Sequence, residues 1–93
     1  MTPAIPTVQI DNDTVRVTEW RFPPGAATGW HRHEMSYVVV PGTTGDLTIA
    51  DKDGNRTKAP LKTGVAYYRD AGVEHDVIND NDFEFVFVEI ELK

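Results

Sequence analysis

No stretch of this chain repeats its apolar residues with the 3.6-residue period of a helix. Wherever a pattern is legible it alternates with a period of two, and clusters of Gly, Pro, Asn and Asp interrupt it. Asp46-Leu47-Thr48-Ile49-Ala50 alternates as a half-buried strand does, Asp51-Lys52-Asp53-Gly54 reads as a hairpin turn, and Thr57, Ala59 and Leu61 mark the returning strand. Thr14 to Phe22 is a further strand whose apolar positions change parity, from Val15 and Val17 to Trp20 and Phe22, which predicts a bulge near Thr18 and Glu19. Val8 to Ile10 reads as a short strand, and residues 1–7, with Pro3 and Pro6, as an N-terminal arm. The last strand, Phe83 to Leu92, carries Phe83, Phe85 and Phe87 on one side and Val86, Val88, Ile90 and Leu92 on the other. Several short strands separated by turns predict an all-β sandwich or barrel.

The 93 residues make one domain, 1–93, near the small end of what folds without help. There is no cysteine, so a stabilising cross-link must be a metal held by His, Asp or Glu, or else a second subunit. The terminal strand is apolar on both faces as far as Val88, so its outer face needs cover, and a homodimer is the expectation. A net charge of −6, with the arginines scattered, excludes a nucleic-acid partner of the usual kind, because phosphates would be repelled. No apolar run approaches the length of a membrane-spanning helix, and the first ten residues lack a charged start followed by an apolar core. The expectation is therefore a cytoplasmic protein without membrane partners.

The chemistry concentrates in Gly25 to Gly42, which holds two of the three histidines. If this stretch is a strand, His31 and His33 share a face with Met35, Tyr37 and Val39. Two imidazoles one strand step apart form half of a metal site, since neutral imidazole binds Zn, Cu, Fe and Ni. His75, in the segment Gly64 to Asn79, is the candidate third ligand. Three imidazoles aimed at one interior spot each need a polar partner, and one shared divalent cation satisfies them all. Tyr37 has the parity to enter the same cavity, where a neutral phenol is a poor ligand but a good hydrogen-bond donor to water or substrate. Asn79 has the parity of His75 and is a candidate to orient a ligand from behind. Arg69 is the candidate for a substrate carboxylate.

These two segments resemble the paired motifs of the cupin superfamily, G-x5-H-x-H-x3,4-E-x6-G and G-x5-P-x-G-x2-H-x3-N. Gly25, His31 and His33 fit the first, and Gly64, Gly72, His75 and Asn79 fit the second. Two positions depart: Tyr37, or Val38 in the longer variant, stands where the motif has glutamate, and Asp70 where it has proline. The resemblance implies a single small double-stranded β-helix, or jelly-roll, barrel with its usual four-ligand set reduced to three histidines. Thr18 to Phe22 and Gly29 to Glu34 are also similar to small cupins associated with bacterial β-alanine degradation.

Three neutral ligands leave the full charge on the metal and leave coordination positions free, which suits a small anionic substrate. The first functional expectation is a metal-dependent enzyme similar to the three-histidine, non-haem Fe(II) dioxygenases. Alternatives are a non-redox isomerase, cyclase or lyase using Zn, Mn or Ni as Lewis acid, and a small-molecule binding module without turnover.

Overall fold

The computed structural model describes residues 2–93. Among them are nine strands and no helix: β1 (Ile5–Asp11), β2 (Val15–Phe22), β3 (His31–Arg32), β4 (Tyr37–Pro41), β5 (Gly45–Ala50), β6 (Arg56–Leu61), β7 (Tyr67–Arg69), β8 (Glu74–Ile78) and β9 (Phe85–Leu92). They form a five-stranded sheet, β1-β2-β9-β4-β7, and a four-stranded sheet, β3-β8-β5-β6, with every strand pairing antiparallel. This is the small single-domain jelly-roll that the alternation and the two motifs predict.

The backbone of the larger sheet is the pairing of β2 with β9, in unbroken register from Val15 opposite Leu92 to Phe22 opposite Phe85. Its inner face carries Arg16, Thr18, Trp20 and Phe22 against Glu91, Glu89, Phe87 and Phe85. At the closed end Phe22 and Phe85 are fully buried, and Phe87 packs 5.4 Å from Phe22, ring centre to ring centre. Val39 of the neighbouring β4, with Leu47, Leu61 and Val77 from the facing sheet, completes the core. Aromatic and β-branched pairs across neighbouring strands are the contacts that stabilise such sheets.

The bulge expected near Thr18 and Glu19 is not in β2. Thr18 is buried on the inner face, while Val15 and Val17 lie half-buried on the outer one, so the change in apolar parity reflects an apolar outer face rather than an extra residue. The register shift falls in β1 instead, between Val8 and Ile10. That strand is also longer than expected and begins at Ile5, within the segment read as an arm. It pairs along the edge of β2 and does not cross the face of the sheet.

The histidine segment is not one strand. It breaks between β3, in the smaller sheet, and β4, in the larger. At this corner the His33 N–H donates to the Val73 carbonyl, and the Gly72 N–H donates to the His33 carbonyl at 2.8 Å. Gly72 has φ of +99°, a conformation glycine adopts without the steric cost a side chain would incur. The Ser36 hydroxyl accepts the Ala71 N–H, which ties the far side of the bend to the same turn.

Candidate metal centre

Antiparallel pairing of β3 with β8 sets His31 directly opposite His75. His33, two residues on, leans in from the bend. The Nε2 atoms of His31 and His33 are 3.0 Å apart, those of His33 and His75 3.1 Å, and the donor atoms of all three residues lie within 4.8 Å of one another. A tetrahedral cation with Zn–N bonds of 2.0–2.1 Å needs N···N separations of about 3.3 Å, close to these values.

The hydrogen bonds around the cluster say which nitrogen is free. His31 Nδ1 is 2.9 Å from the Gly29 carbonyl oxygen. A carbonyl only accepts, so Nδ1 carries a hydrogen, and in the neutral ring that metal ligation uses it is Nε2 that presents its lone pair to the cluster. Thr28 braces this corner: its hydroxyl lies 3.2 Å from the same ring nitrogen and accepts the Val77 N–H. Burial, followed by the charge of its histidine neighbours, lowers the pKa of His33 and of His75 to about 4, so both are neutral at pH 7, as metal ligation requires. With no cation, His33 Nε2 has one hydrogen at most to share between two close nitrogens, and at least one lone-pair contact remains uncompensated. A divalent cation resolves all three, and the donor set fits it. Among the described residues no carboxylate joins the group.

Tyr37 stacks on His33, with ring centres 4.0 Å apart and planes 21° apart, and is 3% exposed. Despite the break in the strand, its parity with the histidines survives. Burial pushes the phenol well above its ordinary pKa, so it is a neutral donor. Arg69 lies on an adjoining groove with Tyr37, Tyr67 and His75, its guanidinium over the Tyr67 ring at 4.9 Å. Asn79 does not join the cluster. It is fully buried, donating to the carbonyls of Phe22 (3.0 Å) and Phe83 (2.8 Å) while its Oδ1 accepts both the main-chain and side-chain N–H of Asn81. It joins the ends of β2, β8 and β9.

The cluster opens into a cavity of about 350 Å³ between the two sheets, within the range of small-molecule sites. Its apolar lining includes Trp20, Val39, Leu47, Ile49, Leu61 and Phe87. Met35, Tyr37, Tyr67, Arg16, Glu89 and Glu91 also face it. Arg32, Glu34 and Glu74 form exposed ion pairs of 3.5–3.7 Å at the rim, of little weight for stability. Glu89 is the residue that the sequence pattern hid: it shares the parity of Phe85 and Phe87 in an apolar strand, a polar intrusion on an inner face. Burial, with the neighbouring charge of Glu91, pushes its carboxyl up to about 7.

Residues 18–91 match the family described as Cupin domain. A protein of Pseudomonas aeruginosa named beta-alanine degradation protein BauB is 60% identical over 90 residues, covering 97% of this chain and 94% of its own. A solved cupin domain from Bordetella pertussis Tohama I has a TM-score of 0.95 at 63% identity, covering 99% of this chain and 95% of that one. A conserved protein with a double-stranded β-helix domain from Klebsiella pneumoniae has a TM-score of 0.77 at 21% identity, covering 97% and 76% respectively, a likeness of fold alone.

Proposed function

The chain belongs to the cupin family, and from that premise we propose that it is a metal-dependent enzyme acting on a small organic anion, of the non-haem iron dioxygenase type. The observation that carries this reading is the convergence of three imidazoles with Nδ1 of His31 tied to the Gly29 carbonyl. His31, His33 and His75 would hold the cation. Bound there, it supplies a Lewis acid whose charge no ligand offsets and, if it is iron, redox chemistry.

The chain's own residues supply the rest. Tyr37 fixes the His33 ring by stacking and offers a neutral O–H to an oxygen of the substrate. Arg69 is proposed to draw the substrate's carboxylate toward the groove it shares with Tyr37 and His75. The apolar cavity wall excludes water, which strengthens every polar contact inside. The relative from Pseudomonas aeruginosa is named for β-alanine degradation, and we place the substrate of this chain among the short carboxylates of that process. We further propose a homodimer formed through the outer face of the larger sheet.

Oxygen consumption by iron-loaded protein tests the reaction type. Uptake on adding a short carboxylate, absent with zinc-loaded protein, is the expected result. Turnover with zinc, manganese or nickel and no oxygen uptake would replace it with the non-redox reading, an isomerase, cyclase or lyase.

A further inference from the structure

Glu89 has no role in the scheme above. The residue is 8% exposed and its carboxyl reaches the cavity rather than being sealed in the core, yet among the described residues it accepts no hydrogen bond and forms no ion pair. The register places it on the inner face of β9, between Thr18 of β2 and Val39 of β4. Glu91, two residues on and on the same face, stands opposite Arg16 and Tyr37. Arg16 reaches Glu91 at 3.8 Å and Asp11 at 3.5 Å, and Arg32 is engaged at the rim with Glu34 and Glu74. Neither cation reaches Glu89. A carboxyl so largely withdrawn from water, with no protein partner, gives the fold little that a well-packed apolar side chain would not. Its placement points to a partner supplied from outside the chain.

We propose that Glu89 is a ligand-binding residue that receives the ammonium group of a short aliphatic amino acid whose carboxylate faces the histidine cluster. The inference rests on the anion-binding reading of that cluster. An ammonium supplies the missing positive charge and up to three N–H donors, which Glu89 accepts and Glu91 supports. One strand spacing and two residues separate Glu89 from Tyr37, roughly 8 Å between Cα atoms, and Tyr37 stacks on His33. With the side chains converging on the cavity, a ligand of a few heavy atoms spans the gap. The feature that would make it specific is the separation of amine from carboxylate.

The test compares β-alanine with butyrate, which has the same length but a methyl group in place of the ammonium, by calorimetric titration of zinc-loaded protein. Wild-type protein is expected to bind β-alanine at least about tenfold more tightly than butyrate, the value of a charge-assisted hydrogen bond. Glu89→Gln should abolish that preference and leave butyrate unchanged. Glu89→Asp keeps the charge but withdraws it, and should reduce the preference; it decides the matter should the Gln variant fail to fold. A preference that survives both substitutions, or its absence in the wild type while butyrate binds, would overturn the role of Glu89 and leave the metal site standing. Zinc bound with neither carboxylate recognised would overturn the anion-binding reading and this contact with it.

Discussion

His31 and His75 stand directly opposite one another in the β3–β8 pair, with ring centres 4.7 Å apart. The candidate metal centre therefore hangs on the register of a two-residue strand. A slip of β3 by one residue would set Arg32 opposite His75 and turn His31 away from the cluster, because successive side chains of a strand point to opposite faces. What holds the register is the neighbouring corner: Thr28 to Val77 through the hydroxyl, Gly29 to Asp76, and His33 to Val73 and Gly72.

Tyr37→Phe keeps the ring that stacks on His33 and removes only the hydroxyl. Metal affinity should stay within about threefold of wild type, while turnover falls by about 10²-fold, the usual scale for losing a positioned proton donor. Metal titration and steady-state rates check this. A loss of metal comparable to that of a histidine variant would make Tyr37 a ligand instead.

Asn79→Leu should cost about 2–4 kcal/mol of stability and leave metal affinity unchanged. It strips the hydrogen bonds from buried carbonyls of Phe22 and Phe83, and each buried group left unsatisfied costs about 1–3 kcal/mol. Urea unfolding gives the first quantity and competition with a coloured chelator the second. Weakened metal binding in a protein of wild-type stability would return Asn79 to the role its parity suggested.

The metal-free protein should lose stability in acid. His33 and His75 have folded pKa values of about 4, below the unfolded value near 6.5, so between those limits the unfolded chain binds up to two more protons. Stability then rises with pH across that window. Glu89 acts oppositely: its folded value of about 7 exceeds the unfolded one, so the folded chain holds an extra proton between pH 4.5 and 7. The balance is about one proton, and unfolding free energy should be roughly 1–3 kcal/mol greater at pH 6.5 than at pH 4.5. Glu89→Gln should steepen the slope. A flat profile from urea unfolding at several pH values would contradict these environments.

The outer face of the larger sheet carries one apolar residue from each of its five strands in a single row: Ile10, Val17, Ile90, Val38 and Tyr68. Ile10 and Tyr68 are about half exposed. Because β1 extends the sheet edge without crossing this face, a second copy is the cover we expect. Sedimentation at micromolar concentration should give a dimer, and Ile90→Lys a species near 10.4 kDa. A wild-type chain at that mass with no concentration dependence would rule the dimer out.

The three histidines were legible because parity and motif spacing both survive the barrel corner: the chain bends at Glu34 and Met35, yet His31, His33 and Tyr37 still face inward. The strand break itself was not, since alternation continues through it and only the contacts to Gly72 and Val73 reveal the change of sheet. Val15 and Val17 mimic a bulge in the sequence because apolar strand residues ordinarily face in, whereas here an outer face is apolar too. Asn79 followed the parity of His75, but strand parity carries no information once the strand has ended at Ile78. Glu89 lay in plain view among phenylalanines, its inward direction hidden by the run of apolar neighbours on both faces.

The central claim is that His31, His33 and His75 together hold one divalent cation, and metal analysis of tag-free protein tests it most directly. About one equivalent of a transition metal per chain is expected in the wild type. His33→Ala, which removes the nitrogen central to both short contacts, should bring this to background while the fold persists. Wild-type protein that neither carries a metal nor binds added iron, zinc or nickel, or a His33→Ala variant that binds as well as wild type, would contradict it.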